Sequence, residues 1–509
     1  MWRMLRPDSV AFAFALLASG QPALAEALYL ENCASCHGSD RLGGMGPALL
    51  PESLSRLRPE KAAEVIRNGR PATQMPAFGD TLGDANIQTL VDLIYQPLEV
   101  MPTWDETSIR ASINPLGKNF ADQPVFDADP LNLFVLVEAG DHHVSILDGD
   151  TFERLARFPS HYALHGGAKF SPDGRYTYLA SRDGWVMVYD LWSLQPVAEV
   201  RAGINTRNIA ISHDGRYLAV ANYLPHNLVI LDATSLQPVR IFDTQSRVSA
   251  VYQAALRSSF IVAMKDIPEL WEINYSDTPP PGFGGAFVHS HEKGMVEALP
   301  EYLPVRVTPL SEPLDDFFFD QSYRHVMGTS RDGQGGKVVN LDVRAEIADL
   351  PIAGMPHLGS GITFDHEGHR VMASPHLKEA AISIIDMSDW KLIKKIETGG
   401  PGFFMRSHAN TPYAWADVFF GPNRDQVHVI DKRTLEIVKT LVPAPGKTAA
   451  HVEFTRDGRY ALLSIWEEDG AVVVYDAESL TEVRRIPANK PVGKYNVGNK
   501  ISNEEGTSH

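Results

Sequence analysis

Beyond about residue 125 the chain runs in short stretches where apolar and polar positions alternate, the period-two pattern of half-buried strands. Residues 165–190, HGGAKFSPDGRYTYLASRDGWVMVYD, show the unit: an alternating run, an Asp-Gly turn, a second run, an Arg-Asp-Gly turn and a third run ending in Asp190. Asp-Gly between apolar runs is hairpin chemistry. The block at 170–176 recurs at 211–217 and again at 454–460. Apolar runs ending in Asp recur at Asp148, Asp190, Asp232, Asp342, Asp386, Asp431 and Asp476, about 42–45 residues apart except after Asp232. The long gap holds one more unit, ending near 271–274, and an insertion rich in Pro, Gly and His over 278–300. A period of that length with strand–turn–strand content predicts a β-propeller, here eight-bladed and spanning 125–509. The Asp-Gly-Arg-Tyr repeats are read as turn chemistry with no catalytic role.

The first 124 residues read differently. Arg3 and Arg6 precede a short apolar run over 10–17, and Ala23-Leu24-Ala25 has the small-x-small pattern of a cleavage site. Residues 1–25 are therefore expected to be an export signal, and the mature chain a soluble periplasmic protein. No stretch approaches the roughly 18 apolar residues of a membrane span. Residues 26–98 are expected to form a small helical domain, with a helix over 84–95. Residues 99–124, rich in Pro, Asn and polar residues, read as a linker. The fold class is thus α plus all-β in separate domains.

Charge narrows the function. The 46 Lys and Arg against 63 Asp and Glu give a net charge of −17, which argues against nucleic-acid binding. The two cysteines lie in Cys33-Ala34-Ser35-Cys36-His37. C-x-x-C-H is the attachment site of a c-type haem: Cys33 and Cys36 bond the ring covalently and His37 ligates its iron. The stretch GRPATQMPAF over 69–78 resembles the methionine loop of class I cytochromes c and nominates Met75 as the second axial ligand. Met45 is the competing sulfur. One covalent haem c is expected.

His165 opens the best-defined blade and is followed by two glycines. Its imidazole has almost no side-chain bulk beside it, so a flat ligand can approach, and it is read as the iron ligand of a second, haem-like group. A cytochrome c domain joined to an eight-bladed propeller resembles the cytochrome cd1 nitrite reductases and their relatives in haem d1 biogenesis. The resemblance covers most of the mature chain. The stretch 165–192 is similar to the segment carrying the proximal histidine, Thr206-Arg207-Asn208 to a second family segment, 355–359 (MPHLG) to a distal segment and 493–497 (GKYNV) to the closing one. One departure decides the branch. The reductases carry two distal histidines; His357 matches the second, whereas Asp315 stands in place of the first. An ionised carboxylate only accepts hydrogen bonds and is a poor proton donor to nitrite. The best match is therefore the NirN-type branch, the dihydro-haem d1 dehydrogenases.

That resemblance implies an oxidoreductase that converts a propionate of dihydro-haem d1 to an acrylate in the last step of haem d1 biosynthesis, with electrons leaving through haem c. Dihydro-haem d1 is bound non-covalently as substrate, and haem d1 is the product. His165 is the implied haem d1 iron ligand. His357 and His451 are the distal pair, one capping the iron and the other acting as base. Arg182 and Arg207 are the first candidates to hold the substrate's carboxylates, and Tyr223 and Arg247 the second. Implied partners are a cytochrome cd1 nitrite reductase, met transiently, and periplasmic electron acceptors. The alternative readings are a nitrite reductase and a non-catalytic haem d1 carrier.

Overall fold

The computed structural model describes residues 20–502 except 45, 56, 70–74, 98, 101, 165–166, 284–286, 291–294, 299–300, 330–334 and 353–355. His165, Met45 and most of the expected export signal lie outside the described residues. The chain divides into two units, Met1–Thr103 and Trp104–His509.

The first unit is helical: α1 Gly20–Asn32, α2 Ala34–His37, α3 Pro59–Asn68 and α4 Gly79–Ile94. Pro59 opens α3, where its fixed φ suits the first turn. Ala62 and Ile66, four apart on α3, pack against Ile87, Leu90, Val91 and Ile94 of α4. Gly83 breaks α4 with a φ of 68°, so its regular part begins at the expected residue 84; only glycine takes that conformation without strain. Ala25, expected to end the export signal, lies in α1 and is buried in this core.

The second unit contains eight antiparallel sheets of four strands, one of them extended by a fifth. First strands of successive sheets touch one another, for instance Asn205–Ile211 with Val248–Ala254 and Met405–Ser407 with Ala449–Phe454, so these are the inner strands of a propeller. Both faces of each sheet are buried between neighbours. Val186 and Val188 of the second blade, for example, share a core with Ile209, Val220 and Val229 of the third. Ring closure is made by the chain's end: Pro491–Asn496 is the inner strand of the first blade and pairs with Phe134–Glu138. The insertion leaves the fourth blade between its third strand, Glu269–Asn274, and its fourth, Val305–Pro309. No described helix is long and apolar enough to cross a membrane.

Two expectations are corrected. From residue 104 the supposed linker is part of the second unit. Asp105 caps α5 (Glu106–Ala111) by accepting from Ser108 N at 2.9 Å. Ile109 is fully buried with the second and third blades, Asn114–Pro115 adds to the second blade's outer edge, and Trp104 Nε1 donates to Arg201 O at 2.8 Å. The polar composition masked the few apolar anchors, Trp104 and Ile109. The second correction concerns Asp342. Strand-ending Asp residues such as Asp190, Asp232 and Asp476 accept from backbone N–H groups two and three residues on. In the fifth blade Asn340 does this, accepting from Asp342 N and Val343 N at 2.9 and 3.2 Å. Asn274 does it in the fourth blade, accepting from Ser276 N. The marker is an Asx turn that Asn serves as well as Asp.

Candidate functional site

In the first unit, one helical turn brings the motif together: Cys36 N and His37 N both donate to Cys33 O, at 3.1 and 2.9 Å. Both cysteines are free thiols. His37 is buried, and its Nδ1–H donates to Pro47 O at 2.8 Å. That bond fixes the tautomer and leaves Nε2 as the metal-facing atom. A Cβ at Gly46 would lie 2.6 Å from the His37 ring, so glycine is needed beside it. Burial lowers the His37 pKa against the pull of the Pro47 carbonyl, which favours the neutral ring that ligates iron. Met75 packs on the same core cluster as Cys33. These residues fit a covalently held haem c.

In the propeller, the inner strands start at one end of the axis and run to Asp-Gly turns at the other. The candidate residues gather at the starting end, the mouth. Leu164 bridges to Ser181, and Arg182 N donates to Ala163 O at 3.1 Å, so Arg182 flanks the segment leading to His165. The Arg182 carbonyl accepts from Thr206 N at 3.0 Å, which sets it next to Arg207. Arg207 interacts electrostatically with Tyr223, Tyr252, Asp315 and Asp316. The Tyr223 ring lies against two cations, Arg247 at 5.7 Å and Lys265 at 5.6 Å. Arg247 is committed to Asp266, with Nε 3.0 Å from Oδ2, and Lys265 is ion-paired with Asp315.

His357 is held through one ring nitrogen and faces a carboxylate with the other. Its Nδ1–H donates to Phe403 O at 2.9 Å; a carbonyl only accepts, so the neutral ring carries its lone pair on Nε2. Nε2 stands 3.7 Å from Asp316 Oδ2. Burial lowers the His357 pKa, with Asp316 acting in the opposite sense. The ring is thus neutral near pH 7 and has a carboxylate ready to stabilise the imidazolium once Nε2 takes a proton.

His451 is different. Its backbone has a φ of 56°, inside a bulge between Ala450 and Val452. A non-glycine residue there costs of order 1–3 kcal/mol and persists only where the surroundings impose it. The ring stands edge-on to Phe404 at 4.8 Å and Tyr495 at 5.3 Å. Its Nδ1 is buried without a hydrogen-bond partner among the described residues. Burial, then the charges of Lys494, Lys500 and Arg406, push its pKa well below the usual histidine value. A neutral ring with an unused buried nitrogen suits a metal ligand better than a proton carrier.

One carboxylate that sequence reasoning missed holds both histidines in place. Asp417 Oδ1 accepts from Phe403 N at 2.7 Å and Phe404 N at 3.1 Å, and Oδ2 accepts from His451 N at 3.3 Å. Phe403 in turn carries the carbonyl that orients His357. Burial pushes Asp417 up to about 7 against the pull of those three amides. Lys494, fully buried, donates to His451 O and to Ser464 Oγ. Asp316 was missed as well. Neither aspartate has a sequence signal that separates it from the many turn aspartates of the repeat.

Comparison with known proteins follows the same division. The family described as Cytochrome D1 heme domain matches residues 128–283 and 301–500, and that described as Cytochrome C oxidase, cbb3-type, subunit III, matches residues 20–94. The chain is 56% identical to Dihydro-heme d1 dehydrogenase of Pseudomonas aeruginosa, covering 97% of each chain. It is 25% identical to Nitrite reductase of Stutzerimonas stutzeri, over 93% of this chain and 92% of that one. A solved structure described as Dihydro-heme d1 dehydrogenase NirN in complex with DHE shares its fold with a TM-score of 0.88 and 55% identity, covering 94% of this chain and 100% of that chain. Its two-histidine mouth, its haem-attachment motif and these matches place the chain in the cytochrome d1 haem-domain family, among the dihydro-haem d1 dehydrogenases.

Proposed function

We propose that this chain oxidises dihydro-haem d1 by removing two hydrogens from one propionate, giving an acrylate, two electrons and two protons. The observation that carries the reading is the His357–Asp316 pair at the propeller mouth: a neutral imidazole, fixed by Phe403 O, with its basic nitrogen toward a carboxylate. His357 Nε2 takes a proton from the saturated side chain, and Asp316 stabilises the charge that results. His451, with a ring nitrogen that has no hydrogen-bond partner among the described residues, would cap the substrate's iron, for which His165 is the expected other ligand. Cys33, Cys36, His37 and Met75 would hold haem c, which would supply a one-electron exit. Arg207 and Arg182 hold substrate carboxylates. Arg247, already paired with Asp266, and Tyr223 contribute less. The export signal at 1–25 directs the chain to the periplasm, where a nitrite reductase takes the product in a transient encounter.

The direct test is anaerobic. The haem c protein is mixed with isolated dihydro-haem d1 and an artificial oxidant, and the extracted tetrapyrrole is weighed by mass spectrometry. A loss of two hydrogens that needs the protein supports the dehydrogenase; binding with unchanged mass supports the carrier. Nitrite reduction is the reading that Asp315 disfavours, because it is an acceptor already bound to Lys265.

Two further outcomes are expected. Because burial lowers the His357 pKa, protonation disables the base only below the ordinary histidine range. The acid limb of kcat/KM should therefore lie below about pH 6.5, and a limb at or above that value counts against His357. Arg207→Gln removes a buried charge-assisted contact of about 1.5–3 kcal/mol. It should weaken substrate binding about 10-fold or more, read by spectral titration.

A further inference from the structure

The propeller holds a cavity of about 220 Å³ at the end of its axis away from the mouth. Inner strands of five blades reach it, and Lys500 to Ser502 close it where the chain leaves its last helix, Val497–Ile501. At about 30 Å³ for each water, there is room for a small ion with several waters. Two lysines line the cavity. Lys169 Nζ lies 5.8 Å from the centre of the Tyr252 ring. Among the described residues it forms no ion pair, and burial alone brings its pKa down to about 8, with no carboxylate opposing the shift. Lys500 Nζ stands 3.9 Å from Glu453 Oε2, an oxygen that Arg406 Nη2 already holds at 2.7 Å. Burial lowers the Lys500 pKa well below the lysine range; Arg406 and Lys169 add to the shift and Glu453 opposes it. Asp320 is the one carboxylate among the described lining residues. It is turned to its own loop, where it accepts from Arg324 N at 3.0 Å and His325 N at 2.9 Å. Ser502 Oγ, on the same lining, is buried without a hydrogen-bond partner among the described residues.

We propose that this axial cavity is a binding site for a small oxyanion, held between the ammonium groups of Lys169 and Lys500 and by the hydroxyl of Ser502. The charges give the reason. Lys169, Lys500 and Arg406 stand near a single matched carboxylate, Glu453, so the far end of the axis carries more buried cations than anions. Burying a cation without a counter-charge is costly. An anion in the cavity removes that cost for both lysines at once. Lysine offers three donors and a hydroxyl one, so the lining can direct several N–H and O–H groups at separate oxygens of one ion. Charge-assisted bonds of that kind are the stronger class. A cation is disfavoured there by the same lysines, and an apolar ligand would leave the Ser502 hydroxyl and both amines unsatisfied. The site is distinct from the arginines at the mouth, since the Asp-Gly turn residues Ser212 and His213 border it. It requires no part of the dehydrogenation chemistry.

The test uses the full-length haem c protein in a buffer free of phosphate and sulfate. Inorganic phosphate is titrated in by calorimetry, with sodium chloride at equal ionic strength as the control, and thermal melting is followed in parallel. The expected result is saturable binding of one phosphate per chain and a higher Tm. Lys169→Met should weaken phosphate binding about 10-fold or more and Ser502→Ala about 3-fold, the losses of a charged and of a neutral hydrogen bond. Without phosphate, Lys169→Met should melt no lower than the unsubstituted chain, because it removes a buried cation that has no partner; this separates a lost ligand from a damaged fold. Arg207→Gln, at the mouth, should leave phosphate binding unchanged. Absence of saturable binding overturns the site, and so does binding that Lys169→Met leaves intact. Binding seen only in a chain ending at Ser502 also overturns it, by assigning the cavity to the chain's own following segment with Glu504 and Glu505. If dihydro-haem d1 displaces the phosphate, the lysines serve the tetrapyrrole's carboxylates, and a separate oxyanion site is ruled out.

Discussion

Replacing His357 by alanine is expected to slow dehydrogenation of dihydro-haem d1 by about 10²-fold or more while the tetrapyrrole still binds. In the proposed reading, binding rests on the arginines and on the iron ligands His165 and His451, which this change leaves in place. Base catalysis rests on Nε2, which no other described side chain sets against Asp316 in the same way. Rate and affinity should therefore separate: single-turnover rate falls and the dissociation constant holds. His357→Gln tests the same point with less loss of volume, because its amide can still donate to Phe403 O but cannot accept a proton. If both variants turn over normally, the base lies elsewhere. His451→Ala should behave differently, changing the absorption of the bound tetrapyrrole through loss of an iron ligand.

The second large effect is expected at Asp417, which touches no substrate in this reading. Asp417→Ala leaves the amides of Phe403, Phe404 and His451 without their acceptor. An unsatisfied buried donor costs about 1–3 kcal/mol, so a fall in denaturant stability of at least that size is expected. The larger consequence is geometric. Phe403 O orients His357, and the bulge at His451 is anchored by the same carboxylate, so both histidines shift. Misplacement by about 1 Å can cost 10²-fold in rate, and turnover should fall by about that factor. A positioning role also predicts that the tetrapyrrole spectrum and the pH profile change together, because one residue controls both rings. A loss of stability with rate and spectrum intact would restrict Asp417 to the fold.

The sequence made the architecture readable because the blades announce themselves through turn chemistry. Asp173, Asp214 and Asp457 each take the hydroxyl of a Ser or Thr two residues earlier and precede a glycine with φ near 73°, so this signal is local and repeats. The haem c motif is equally local, with donors and ligand inside one helical turn. What could not be read is non-local. Asp417 looks like any strand-ending aspartate until the fold brings Phe403 and His451 to its two oxygens. Asp316 is one of two adjacent aspartates, and only the neighbouring blade shows that it faces His357 and Tyr252 while Asp315 pairs with Lys265. The linker was misjudged because composition counts residues, whereas packing depended on Trp104 and Ile109. Assigning separate roles to His357 and His451 needed their ring-nitrogen partners, which no pattern in the chain specifies.

The closing strand sets an order of events during the protein's own synthesis. Residues 491–496 supply the inner edge of the first blade, and they carry Lys494 and Tyr495, which lie against His451. The helices of the first unit, with its Cys33–His37 haem-attachment motif, are all made before residue 104. A growing chain can thus acquire its redox centre early, but has no finished substrate mouth until its closing strand has been made and docked. A chain ending at residue 490 is expected to be red from haem c yet blind to the tetrapyrrole. Substrate capture is in this way reserved for molecules already equipped to carry the electrons away.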